Sequence, residues 1–234
     1  MMTTFLPSDK TGDIVTRFPQ SSTLFKKHRI DFCCGGNRPI GEVAKEKGLD
    51  VEAFLSQVNH LYQQQADTKQ SDQDWSKASE QEIINTIVNR YHAYLMQHLP
   101  EISQYVTKVA RVHGSQREEL VKLHEVFHQF KLEMEQHALK EEQQIFPLIL
   151  QYVQNPAPEL LQNVKDGIQE LESEHVGAGN LLEVMRQLTH DYELPAEACM
   201  TYQLTFKKLM ELEEDTFMHI HLENNILFPR ILNQ

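Results

Sequence analysis

From residue 80 onward, apolar residues recur at alternating steps of three and four through four long segments, and this spacing constrains the fold of the 234-residue chain more than any other feature. Such a repeat puts one stripe along one face of a helix, so four stripes of this kind have to bury themselves against one another. The first stripe runs Val88, His92, Leu95, Leu99, Ile102. The second runs Leu120, Leu123, Phe127, Phe130, Met134, His137, Glu141, Ile145, Leu148, and the third Leu161, Val164, Ile168, Leu171, His175, Ala178, Leu182, Met185. The fourth runs Leu209, Leu212, Thr216, His219, Glu223, Ile226. Breaks at His113-Gly114-Ser115, Asn155-Pro156-Ala157-Pro158 and Glu193-Leu194-Pro195 leave short connections. The spacing therefore predicts an all-α chain, with an up-down-up-down four-helix bundle over residues 80–234.

The first 65 residues read differently. Turn signals at Thr11-Gly12, Phe18-Pro19, Cys34-Gly35-Gly36, Arg38-Pro39 and Lys47-Gly48 cut residues 1–65 into a small domain of short helices. The polar stretch over residues 66–79 is expected to be a linker. A net charge of −12 argues against broad attraction to nucleic acid or to an anionic membrane. No run approaches the ~20 apolar residues that span a bilayer. Only three cysteines appear, two of them adjacent, which is no disulfide framework and suggests a reducing, cytoplasmic setting.

Each stripe carries one histidine near its middle, and two also carry a glutamate four residues later. A carboxylate on a core face costs several kcal/mol unless its charge is compensated, and the facing positions offer no Lys or Arg. An i, i+4 pair shares one helix face, so His137 with Glu141, and His219 with Glu223, make two chelating arms. In an antiparallel bundle with about 1.5 Å rise per residue, the four histidines fall within a height on the order of 7 Å. Four imidazoles and two carboxylates exceed what one tetrahedral zinc uses, and nitrogen and oxygen ligation without thiolate suits two iron or manganese ions. The remaining histidines, His98, His113, His124, His128, His190 and His221, lack a partner Glu at matching height and read as surface or outer residues. Met210, Phe217 and Met218 read as core filler, and Cys199 as packing.

The segments HALKEEQQIFP and HIHLENNILFP, together with IDFCCGG near the start, resemble the RIC family (repair of iron centres), the iron–sulfur cluster repair di-iron proteins with a haemerythrin-like bundle. The resemblance covers essentially the whole chain. It implies a non-haem centre of two iron ions, carboxylate- and oxo-bridged, with His92, His137, His175 and His219 as terminal ligands and Glu141 and Glu223 as bridges. It also implies a stress-response role in restoring clusters damaged by oxidants or nitric oxide, by supplying iron to damaged iron–sulfur proteins. Two alternatives stay open: reduction of nitric oxide at the centre, and sensing of oxygen or nitric oxide. Oxygen-carrying haemerythrins have a second histidine four residues after the third-helix ligand, whereas His175 is followed by Gly179, which leaves a position open.

Cys33 and Cys34 cannot easily both reach one tetrahedral metal, so redox or partner-facing sulfur chemistry is the expectation for the pair. His28, Arg29 and Arg38 are the residues expected to depress the thiol pKa, and Gly35-Gly36 to let another backbone approach. Exposed positions on the short N-terminal helices are where a homodimer would form.

Overall fold

The computed structural model describes residues 4–68 and 75–233. It is 79% helical, with no strand among the described residues, as the all-α expectation required. The chain divides into two compact units, Ile84–His219 and Met1–Ile83 with Ile220–Gln234, the two cuts falling inside two helices.

In the larger unit the helices are α5 (Glu80–Thr86, which begins just before the first cut), α6 (Ala93–His113), α7 (Glu118–Lys140), α8 (Phe146–Gln154), α9 (Pro158–Leu188) and α10 (Met200–Leu222, which runs past the second). Helix α7 packs along α6 on one side and α9 on the other. Helix α10 is tied to α9 by the Arg186–Glu213 ion pair at 2.6 Å, and to the first helical run by ring contacts from His219 to Tyr91 and from Tyr202 to His113. Pro158 opens α9 where a missing N–H costs nothing.

Most of the expected stripes are buried, with two displacements of one residue. Ile87 is buried where Val88 was expected, and Ile149 where Leu148 was expected. Both errors have one cause: π-helical segments over Ile87–His92 and Glu141–Ile145 insert an extra residue per turn, which a three-and-four count misses. Leu161, at the start of α9, is only half-buried. Of the expected core filler, Met210 is 49% exposed, with Leu209 and Leu212 filling the core beside it, and Phe217 and Met218 are half-buried.

The smaller unit holds α1 (Thr11–Arg17), α2 (Ser21–Lys27), α3 (Ile40–Glu46), α4 (Val51–Thr68), a 3₁₀ turn at Trp75–Lys77, and α11 (Phe228–Leu232). Its core is aromatic: Tyr62 packs on Phe5 and Phe18 at 5.0 and 5.4 Å, and Phe25 on Phe54 at 5.9 Å. Asn59 fixes the Phe5 backbone by accepting its N–H at 2.7 Å and donating to its carbonyl at 3.1 Å. Of the expected linker, residues 69–74 lie outside the described residues, and α4 runs on to Thr68. No helix among the described residues is long and apolar enough to cross a membrane.

Between α9 and α10, His190, Asp191 and Tyr192 take φ of 49°, 60° and 61° in succession. Three non-glycine residues in the left-handed region cost roughly 1–2 kcal/mol each. Arg186 holds them there by donating to Asp191 at 3.2 Å and to the buried Glu213 at 2.6 and 2.9 Å, while Tyr192 is buried beneath its guanidinium. Removing one partner of a buried pair leaves the other charge uncompensated, so Arg186→Met is expected to lower stability by roughly 3–5 kcal/mol in urea unfolding.

Candidate metal centre

Three of the expected ligands sit at the edge of a π-helical segment: His92 ends one, and Glu141 and Glu223 each begin one. The last two have a common local cause. Pro147 and Pro229 have no N–H to give, and their rings press on the carbonyls of Gln143 and Asn225 one turn back. The chain widens instead, and the N–H of Phe146 and of Phe228 reaches the carbonyl five residues earlier, on Glu141 and Glu223 respectively. The Phe-Pro that follows each H-x-x-x-E thus shapes the turn that begins at each glutamate.

Within the larger unit, two matching groups form around one carboxylate. His92 Nε2 lies 3.2 Å from His219 Nε2 and 3.0 Å from Glu141 Oε2, with His219 Nε2 at 3.6 Å from that oxygen. His175 Nε2 lies 3.1 Å from His137 Nε2, which is 3.4 Å from the other oxygen, Oε1, of Glu141. The ring pairs repeat one geometry, with centroids at 4.9 and 4.8 Å and planes at 66° and 65°. All five side chains are 3% exposed or less. Glu223, also fully buried, lies one turn beyond His219 in the same helix.

This arrangement suits cations. Glu141 Oε1 has no hydrogen-bond partner among the described residues, although it is sealed from water. Two imidazole nitrogens turned toward each other cannot satisfy one another fully, since a neutral ring has a single N–H to share. Each group brings two imidazoles and a carboxylate oxygen to one point, which is a cation's donor set.

Behind the rings lie carboxylates that the stripe count missed. Glu142 accepts from His92 Nδ1 at 2.7 Å, and Glu174 from His137 Nδ1 at 2.7 Å. Each bond places the proton on Nδ1 and leaves the inward Nε2 lone pair available. The hydrogen bond from His137, aided by Lys140 and opposed by burial, holds the Glu174 carboxyl down to about 2. Asp215, four residues before His219, is pushed up to about 7 by burial, partly offset by His219 and Arg90. The sequence signal for Glu142 and Glu174 was present: each is adjacent to a ligand candidate.

In the smaller unit, Asp31 builds the Cys33–Cys34 turn by accepting the N–H groups of Cys33, Cys34 and Gly35 at 3.0, 3.0 and 2.8 Å. The expected activation of the thiols is not found for Cys33. Its thiol, 3.9 Å from that of Cys34 and 3.4 Å from the Asp31 carboxylate, is pushed up by the Cys34 contact and by burial. Arg38 is instead paired with Glu46, and the His28 ring packs on Phe54.

What closes on this turn is the chain's own last helical run. Asn225 Nδ2 donates to the carbonyls of Phe32 and Cys33 at 3.2 and 2.8 Å, and His221 Nδ1 to that of Phe32 at 3.3 Å. A methyl group at Gly36 would stand 2.0 Å from Asn225 Oδ1, so the second glycine of the pair is required by this approach. His221 was expected as a surface or outer residue; it is not at the surface but fully buried, and burial takes it down to about 4. Cys199 is likewise not packed: it is exposed, with Sγ 3.6 Å from His113 Nε2.

A helical bundle holding buried His/Glu groups is the architecture of a haemerythrin-type domain, and residues 83–231 match the family described as the Hemerythrin HHE cation binding domain. Residues 7–62 match ScdA_N, described as a domain of unknown function. The iron–sulfur cluster repair protein ScdA of Staphylococcus haemolyticus is 37% identical over 219 residues, covering 94% of this chain and 96% of its own. The iron–sulfur cluster repair protein YtfE of Citrobacter koseri is 38% identical over 224 residues, covering 94% and 95%. The chain belongs to this ScdA/YtfE family, in which an ScdA_N domain precedes a haemerythrin-type cation-binding domain.

Each hydrogen bond that Asn225 donates is worth about 1 kcal/mol. Asn225→Ala is therefore expected to loosen the turn and speed alkylation of Cys33 several-fold, followed by mass spectrometry of the thiols.

Proposed function

We propose that this protein repairs damaged iron–sulfur clusters by supplying iron from a two-iron centre. In this reading His92 and His219 hold one ion, His137 and His175 the other, and Glu141 and Glu223 bridge them. The observation that carries it is Glu141: a fully buried carboxylate whose two oxygens serve two separate histidine pairs. The names of the relatives from S. haemolyticus and C. koseri support the repair role. Bound in such a centre, iron supplies a transferable ion and a site open to small molecules. The protein's own part is to turn the Nε2 lone pairs inward, through Glu142 and Glu174, and to keep water out.

Nitric oxide reduction at the same centre is the second reading, and Gly179 favours it. A side chain there would meet nothing within 4 Å, so the position one turn after His175 offers space and no ligand. The two readings separate in one experiment. The iron-loaded protein is mixed with a nitric-oxide-damaged [4Fe–4S] enzyme, and recovery of that enzyme is followed with the iron left on the protein. Recovery in step with iron loss supports donation, whereas retained iron with consumption of nitric oxide supports the reductase. Cys33→Ala combined with Cys34→Ala is expected to leave iron content unchanged and to impair repair; unimpaired repair returns the pair to a packing role.

A carboxylate held in the core with no Lys or Arg paired to it costs several kcal/mol, and hydrocarbon in its place removes that cost. Glu141→Leu is accordingly expected to abolish binding of the second iron, while the metal-free variant melts no lower than the metal-free parent. Metal analysis and thermal melts with and without iron check both halves, and two irons per chain in the variant would remove Glu141 from its bridging role.

A further inference from the structure

The two halves of the centre are near copies in their inner geometry, and they differ in what stands behind the rings. On one half, His92 Nδ1 donates to Glu142, whose carboxylate meets no Lys or Arg within ion-pair distance among the described residues. On the other half, His137 Nδ1 donates to Glu174, and that carboxylate is also bonded by the Lys140 ammonium. Lys140 reaches on to Glu170 at 2.7 Å, but Glu170 lies on the solvent side with 60% of its side chain exposed, where its charge is screened.

A carboxylate behind a ligating histidine makes the ring a stronger donor by drawing on its N–H. A cation on the same carboxylate withdraws that electron density, and it also places a positive charge one hydrogen bond behind the ring, where it repels a bound metal ion. Both effects of Lys140 fall on the His137 half.

We propose that the two halves hold metal unequally, and that the ion between His137 and His175 is the one released first, with Lys140 as the residue that loosens it. This rests on the two-iron reading above. Lys140 and Glu142 are positioning residues: neither touches the metal, and each acts through the carboxylate–histidine bond. A donor built this way gives up one ion readily and retains the other to keep the core paired between deliveries.

The test loads the full chain with two equivalents of ferrous iron under anaerobic conditions and adds excess chromophoric ferrous chelator. The wild type is expected to release iron in two phases of equal amplitude. Outer partners of metal-bound histidines typically change metal affinity by about 10–100-fold, so effects on the order of tenfold on one phase are expected. Lys140→Gln should slow the fast phase and leave the slow one, Lys140→Arg should restore it, and Glu142→Gln should speed the slow phase alone. Both side chains are partly exposed, so circular dichroism should be unchanged. Fewer than two irons bound by the wild type would overturn the two-iron reading and this proposal with it. Two irons leaving in a single phase, or a fast phase indifferent to Lys140→Gln, would overturn this proposal and leave the two-iron reading standing.

Discussion

One buried carboxylate organises the interior of the bundle. Glu141 sits at 0% exposure with one oxygen toward His92 and His219 and the other toward His137. Taking an ionised side chain out of water costs several kcal/mol, and hydrogen bonds from neutral imidazoles recover only part of that. The groups around it are lone-pair donors that cannot fully offset that cost themselves, so the set as a whole is suited to binding a cation, which can. Two further carboxylates, Glu142 and Glu174, fix the rings of His92 and His137 from outside, which makes the cluster a nested arrangement rather than a ring of isolated side chains.

The backbone contributes as much as the side chains. A regular α-helix puts residues i and i+4 nearly over one another, but a long stretch at 3.6 residues per turn drifts away from a fixed axis. A single wide turn at Glu141, and another at Glu223, resets that drift where the ligand candidates lie. Proline six residues after each glutamate makes the wide turn the cheaper conformation, so a residue that never approaches the centre shapes the segment on which a ligand candidate sits.

How far the sequence could be read follows from this. The third stripe, from Val164 to Met185, is buried residue for residue, because α9 contains no wide turn. The first stripe is right from His92 onward and one residue out at Val88, at the N-terminal side of its wide turn, and the second is right through Ile145 and one residue out beyond its wide turn, at Leu148. The histidines and Glu141 were legible because a polar group on an apolar stripe stands out. Glu142 and Glu174 carried only the weaker signal of adjacency to a ligand candidate, and a partly exposed acid in that position looks like any solvated residue. The environment of Cys33 was misread for a different reason: His28 and Arg38 face Phe54 and Glu46 instead, while Asp31, two residues away, folds back onto the thiol.

The hold of His221 and Asn225 on the Cys33–Cys34 turn has a practical corollary for anyone dissecting this chain. Both side chains come from the far end of the polypeptide, nearly two hundred positions downstream of the thiols they secure. An excised fragment ending at residue 65 would lack them, and its Gly36 would face solvent where an amide now fits. Thiol reactivity recorded on such a fragment would describe an unclamped loop, not the cysteine pair of the intact molecule.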